Sequence, residues 1–427
     1  MVFCCVRTVK SSPLILAVVL LGAFCIPLVV LPFAFDAFRL PKELALRAEA
    51  IVLVAVFLGA LVMGDRPRIR FDRWLVMPLV ALAWMIIVTL TSTNPTVSGL
   101  RVIAGVATLI VFIATLRSAE TNRAFLALVS VPLVAAVINA VVDILQELNI
   151  WMPFGTQPDM RHHFQCTALI GNPNEIGSYL AVAALACLAA AIADRERRKW
   201  FASAAFLLLA GVIAAQTLTA LAALVAGAFV LFALVSWRYA LRSALAAIVV
   251  AVLLVVSLAP LRQRAENMVH WLRTGEYNAL LTDRLTPFIA ASLMTIDRPL
   301  TGVGPGTFGW NYYAYKVRAE QVYPVLRKAW SRGVNFGEVH DDHLQLLAEG
   351  GVPAYLLFVA FLVMLGAISL RNVGADAPPA QRFAMLLALP LAVLWVVLSL
   401  AQFPLETTVV RMLLVHFAAL CAAWRPS

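Results

Sequence analysis

The sequence predicts an all-α integral membrane protein with about twelve transmembrane helices and one large loop on the outer face. Three observations predict it. Hydrophobic residues make up 62% of the 427 and charged ones only 13%, against roughly 25% charged in water-soluble domains. Apolar runs near the length of a membrane span, about 20 residues, recur along the chain. The basic residues fall between those runs in an alternating pattern.

The runs cover 13–35, 44–64, 74–92, 98–116, 123–146, 174–193, 200–216, 218–236, 241–260, 345–369, 380–400 and 403–423. The first follows Arg7 and Lys10 and imitates a signal peptide. It is too long for a signal-peptide core and shows no small-residue cleavage site, so it reads as an uncleaved span. The turn near Thr217 alone separates the seventh run from the eighth.

Charge tests the count. With the N-terminus in the cytoplasm, the inner segments carry Arg66, Arg68, Arg70 and Arg73, then Arg117 and Arg123. Arg195, Arg197, Arg198 and Lys199 follow, then Arg238 and Arg242, Arg371 and Arg382, and finally Arg425. The short outer turns near Thr93, Thr217 and Gln402 carry no Lys or Arg. Cytoplasmic segments are the basic ones in membrane proteins, and one missed span would invert the pattern. Both termini are therefore expected in the cytoplasm. The net charge of +10 reflects topology and gives no reason to expect a nucleic-acid partner.

Two outer segments are long, 147–173 and 261–344, and long loops escape the charge rule. They divide the chain into helices over 1–260, a chemical loop at 261–344 and three closing spans over 345–427. The second loop is rich in Arg and in aromatic residues, among them Trp271, Trp310, Tyr312, Tyr313, Tyr315, Tyr323 and Trp330. No Walker A motif occurs and no GxGxxG lies on a strand–helix unit, which removes support for ATP-driven transport. The six cysteines form no CxxC pair or metal-type spacing. Cys166, the one in a polar loop, reads as a free thiol.

Chemistry concentrates between Asp283 and Glu349. Gly302-Val303-Gly304-Pro305-Gly306 makes a tight turn whose backbone N–H groups can face an anion, or else a plain loop corner. His340-Asp341-Asp342-His343 opens the next span. Two histidines three apart share a helix face, and an adjacent carboxylate can hold an imidazole neutral as a general base. The competing reading is a polar helix cap; a metal site is the less favoured third.

In the first outer loop, Arg161-His162-His163 precedes Gly171-Asn172-Pro173-Asn174-Glu175, with Asn174 as an expected N-cap. Arg101 lies near the outer end of the fourth span. Arg411 sits inside the last, where it pairs with Glu406 or lines a phosphate site. His416 reads as a buried, satisfied histidine. Guanidinium groups suit a diphosphate, aromatic rings suit sugar faces, and a histidine at a loop–helix junction suits deprotonation of a hydroxyl.

At these residues the sequence resembles the O-antigen ligase and Wzy-type polysaccharide polymerase family of GT-C-like membrane glycosyltransferases. The likeness covers roughly 160–370 and rests on three blocks. They are Gly171-Asn172-Pro173-Asn174-Glu175-Ile176-Gly177; Asp283-Arg284 with Arg298-Pro299-Leu300-Thr301-Gly302-Val303-Gly304-Pro305-Gly306-Thr307-Phe308; and the stretch from His340 to Gly351. The resemblance implies transfer of a glycan from undecaprenyl diphosphate to an acceptor hydroxyl on the periplasmic side of the bacterial inner membrane. The reaction would invert the anomeric centre and use neither metal nor other cofactor. The acceptor would be a saccharide or lipid A-core, with polysaccharide export proteins as further partners.

By the same resemblance His340 activates the acceptor and Arg284 holds the donor diphosphate. Asp341, His343, Gly304, Gly306, Asn174 and Glu349 support them. The family's arginine at the turn between the seventh and eighth spans is missing: Ala215-Gln216-Thr217-Leu218-Thr219-Ala220 places Leu218 there. Arg101, Arg161 or Arg411 would then supply the charge, and the departure favours a polymerase over a ligase. A flippase or transporter would show repeat symmetry or paired broken helices, and neither is visible.

Overall fold

The structure is a computed structural model describing residues 13–62, 73–156, 159–257, 259–328, 334–370 and 377–424. Among the described residues all regular structure is helical. Arg7, Lys10, Arg66, Arg68, Arg70, Trp330, Arg371 and Arg425, named in the sequence argument, lie outside them.

Helices α1 (Pro13–Cys25), α2 (Arg39–Val62), α3 (Arg73–Leu90), α4 (Pro95–Ser118) and α5 (Asn122–Glu147) come first. A short α6 (His162–Gln165) leads to α7 (Pro173–Ala193), α8 (Arg198–Ala214), α9 (Leu218–Val235) and α10 (Trp237–Ser257). Then follow α11 (Ala259–Thr274), α12 (Tyr277–Leu280), α13 (Leu285–Asp297) and α14 (Phe308–Val322). The last are α15 (Asp342–Gly366), α16 (Pro379–Ser399) and α17 (Thr408–Ala423).

Eight of these are long and apolar enough to cross a membrane: α2, α3, α4, α5, α7, α9, α15 and α16. The remaining predicted runs fall on α1, α8, α10 and α17, of which α1 and α17 are apolar but short. The first run stays apolar to residue 35, yet its helix stops at Cys25. Pro27 follows, and proline disfavours helix in the residue before it and offers no N–H.

The bundle is built around α7, whose spanning segment is 89% buried. Its sequence alternates alanine with a few larger residues, so α5, α8, α9, α16 and α17 can all close on it. Small side chains are what allow close helix approach where lipid supplies no hydrophobic drive. Gly211 of α8 meets Leu180 and Ala140, and Gly227 of α9 meets Leu185 and Leu394; at both, a methyl group would be crowded.

Helices α13 and α14 and the first turns of α15 carry a second, smaller core. Ala290, Ala291 and Met294 of α13 pack with Val303, with Phe308 and Tyr312 of α14, and with Val339 and Ala348. This core rests on the first turns of α15, which break at Gly351 (φ 71°) just before Pro353. Val352 N–H there donates to Pro299 O at 2.8 Å, and Trp84 Nε1 donates to Gly350 O at 2.9 Å. The broken helix thereby supplies the polar groups on which the glycine turn is seated.

Candidate functional site

The glycine turn docks against α15 through backbone and carboxylate together. Val303 N–H donates to Ala348 O (2.8 Å) and Gly304 N–H to Glu349 O (3.1 Å). The N–H groups of Gly306 and Phe308 donate to Glu349 Oε2 (2.7 Å) and Oε1 (2.9 Å). The nest predicted for a bound anion thus holds the chain's own carboxylate. Gly304 (φ 117°) lies against Ser92, and Gly306 (φ 71°) against the stem of Arg101. Both positions demand glycine, since a side chain is disfavoured at such φ and would collide with Ser92 at Gly304.

His340 ends the segment before α15. It is not on the helix: Asp341 is the N-cap, its carboxylate accepting from Leu344 N–H at 2.8 Å. The expected shared face with His343 is therefore absent. His340 has φ 65°, a conformation that costs a non-glycine residue energy and is held only by its surroundings. His343 points elsewhere, its Nε2 3.2 Å from Val396 O and its ring against Tyr355 and Phe358.

The His340 ring is held by aromatic edges. Phe403 lies at 4.7 Å and Phe336 at 5.8 Å, both near perpendicular. Nδ1 is buried with no hydrogen-bond partner. Among the described residues no carboxylate contacts the ring, contrary to the sequence expectation, because Asp341 is spent on capping. Burial, then the positive charges of Arg284 and Arg39, push its pKa down to about 3. The imidazole is neutral at physiological pH and can accept a proton.

Arg284 precedes α13 and is aimed by two left-handed residues, Thr282 (φ 53°) and Asp283 (φ 61°). Its Nη1 donates to Ala401 O at 2.7 Å. Among the described residues no carboxylate pairs with it, and burial lowers its pKa. A half-buried guanidinium without a counter-ion is suited to an anion from outside.

Arg39, overlooked in the sequence, also acts on His340. Its Nε and Nη2 donate to Glu175 Oε1 (2.9 and 2.5 Å), and Nη1 donates to Glu338 Oε1 at 3.0 Å. Its guanidinium carbon lies 5.4 Å from the centre of the Phe403 ring that also touches His340. Glu175, and not Asn174, is thus the member of the Asn-Pro-Asn-Glu stretch that reaches this group. The N-cap there is Asn172, accepting from Asn174 N–H at 2.8 Å. A signal existed: Arg39 and Lys42 sit in a segment that the charge rule assigns to the outer side, where basic residues are unexpected.

The turn 400–407 between α16 and α17 joins these parts. Ala401 O receives Arg284, and Phe403 faces His340 and Arg39. Leu405 N–H donates to Asp342 Oδ2 at 2.9 Å. Leu405 O accepts from Arg101 (3.1 Å) and Arg411 (2.7 Å). Arg101 also pairs with Glu406, whereas Arg411 pairs with Glu43 at 3.0 Å, correcting the expected Arg411–Glu406 pair. Both arginines are matched by carboxylates. Arg161 lies exposed before α6 and shares no contact with this turn. Leu218, at the position of the missing arginine, is exposed and apolar. His416 is buried with Nε2 2.8 Å from Leu128 O, as expected.

Residues 203–359, from α8 into α15, match the family model described as O-antigen ligase. Over these residues the chain is similar to O-antigen ligases. No curated protein matches the chain. The matched stretch contains Arg284, the glycine turn, His340 and Glu349, while Arg39, Arg101, Glu175 and the 400–407 turn come from outside it. That similarity and the many apolar helices together indicate a membrane protein.

Proposed function

We propose that the protein transfers a glycan from undecaprenyl diphosphate to a sugar hydroxyl on the periplasmic face, joining repeat units of O-antigen or exopolysaccharide. Its twelve spans would place both termini in the cytoplasm of a bacterial inner-membrane protein, with 261–344 outside. The observation that carries the reading is the pairing of a neutral, aromatic-clamped His340 with Arg284, a guanidinium lacking a counter-ion.

The imidazole of His340 takes the acceptor hydroxyl's proton as the hydroxyl oxygen attacks the anomeric carbon from the face opposite the diphosphate. The carbon–oxygen bond to the diphosphate breaks, and undecaprenyl diphosphate leaves with the electron pair. Charge grows on that leaving oxygen, where Arg284 and Arg39 stabilise it. Backside displacement inverts the anomeric centre and draws on no metal or other cofactor. The donor's negative charge also offsets the two arginines, raising the basicity of His340 when donor is bound. Arg101 and Arg411 act indirectly, by holding Leu405 and hence the turn that bears Phe403.

The test is a His340→Ala variant supplied to a host lacking its own copy, with insertion checked and surface polysaccharide run on a gel. Accumulated lipid-linked single repeat units support the polymerase. Long chains left on the lipid carrier support instead a ligase acting on lipid A-core, the second reading, favoured by the domain description. Wild-type polymer overturns the assignment of His340.

A further inference from the structure

We propose that Glu147, His162 and Cys166 bind a zinc ion that staples the first outer loop to the end of α5. His162 and Cys166 are four apart across α6, so they share a face. His162 Nε2 lies 3.5 Å from Cys166 Sγ. Two ligands of a tetrahedral zinc, with Zn–N about 2.0 Å and Zn–S about 2.3 Å, stand about 3.5 Å apart. The ligand atoms of Glu147, His162 and Cys166 all lie within 4.8 Å of one another.

The neighbourhood is prepared for a cation. Gln216 Nε2 donates to Glu147 Oε1 at 2.5 Å, fixing the carboxylate, while Oε2 is buried and partnerless. Holding one carboxylate oxygen so that the other faces a metal is a recurrent outer-sphere device. One turn back on α5, Asp143 is fully buried with neither oxygen hydrogen-bonded, and its charge is felt at Cys166. A carboxylate, a thiol and an imidazole therefore meet here, with the carboxylate of Asp143 behind them. Thiolate with imidazole selects zinc over calcium or magnesium, which prefer oxygen ligands. Binding displaces the thiol proton, and His162 Nε2 exchanges its contact with Glu147 O (3.1 Å) for the metal.

The staple has a structural purpose. Cys166 directly precedes the segment whose N–H groups at Ala168 and Leu169 are received by Gln146 and Asn139, and which ends at Gly171-Asn172. That segment delivers Glu175 to Arg39. The site is separate from His340, so it does not depend on the proposed reaction.

The test uses the full chain in detergent, under reductant, stripped with a mild chelator and re-equilibrated with Zn²⁺ or Co²⁺. Wild type is expected to retain one zinc per chain by mass spectrometry and to give a thiolate-to-cobalt charge-transfer band. Cys166→Ser and His162→Ala lose both; Glu147→Gln weakens Kd by at least about tenfold, the loss typical even of an outer-sphere partner. Cys25→Ser, remote from the cluster, keeps both. Gel filtration confirms that the variants fold. Wild type retaining no more metal than Cys166→Ser, or a cobalt spectrum without the thiolate band, overturns the proposal.

Discussion

The imidazole of His340 stands edge-on to the ring of Phe403 at 4.7 Å, and Arg39 lies over that same ring at 5.4 Å. One side chain from the turn between α16 and α17 therefore sets both the base and one of its cations. Phe403→Ala should unclamp the imidazole and admit water. The expected result is a transfer rate lower by about tenfold or more, as misplaced reacting groups commonly cost, with His340 titrating closer to the ordinary 6.5. Phe403→Leu keeps volume and should lose less. Rates on a lipid-linked donor and the pH dependence of the two variants check this.

The low pKa of His340 makes a pH prediction with a definite sign. Its folded value, about 3, lies below the ordinary 6.5. In kcat/KM, which reports the free enzyme, no acid limb from His340 should appear between pH 5 and 7. Arg284→Gln removes one of the two charges that lower it, so its titration should move up even as activity falls. For stability, the unfolded chain takes up a proton below 6.5 while the folded one does not. Folding therefore weakens as pH falls from 6.5 toward 3. His340→Gln should flatten that part of the thermal-denaturation profile.

Arg39 and Glu175 form a pair with unequal exposure, 41% and 5%. Removing the arginine strands a buried carboxylate. Arg39→Gln should cost about 2 kcal/mol, a figure already reduced for the exposed guanidinium. Arg39→Gln with Glu175→Gln should recover much of that stability and none of the lost transfer. Thermal shift in detergent beside a transfer assay separates the two effects.

How much of this was legible follows from distance along the chain. The helices were readable because a span is a local property: a run of apolar residues with basic flanks. His340, Arg284 and the glycine turn were singled out because each falls in a compact block. The arrangement was not. Arg39 reaches Glu175 across 136 positions and Glu338 across 299, and no local pattern encodes such a pair. The turn near Gln402 was noted only for lacking Lys and Arg, yet its carbonyls and Phe403 gather four arginines and a histidine. The glycine turn was read as an anion holder or a plain loop corner; that its N–H groups receive the side chain of Glu349 required the fold.

Glu349 supports a prediction about architecture. It accepts from two backbone N–H groups inside the protein, and a buried donor left without a partner costs roughly 1–3 kcal/mol. Glu349→Ala leaves both donors unsatisfied and should lower thermal stability sharply, by about 3 kcal/mol or more. Glu349→Gln offers one acceptor oxygen in place of two and should fall between alanine and wild type. If both variants melt like wild type, the glycine turn is not anchored there.

The three arginines considered for the missing charge should now separate. Arg161 is exposed and apart, so Arg161→Ala should change transfer by less than about threefold, with stability within about 0.5 kcal/mol of wild type. Arg101→Ala leaves Glu406 facing the buried carboxylates of Asp342 and Glu349, which act on it electrostatically. It should cost about 3 kcal/mol, and Glu406→Gln in the same chain should restore much of it. Arg411→Ala leaves Glu43 with Arg47 and Thr408 as remaining partners, so its cost should be smaller than that of Arg101→Ala. Melting curves of the four variants give the order. A result with Arg161→Ala as the most damaging would mean that the diphosphate is held at α6 and that the 400–407 turn is not the organiser of the site.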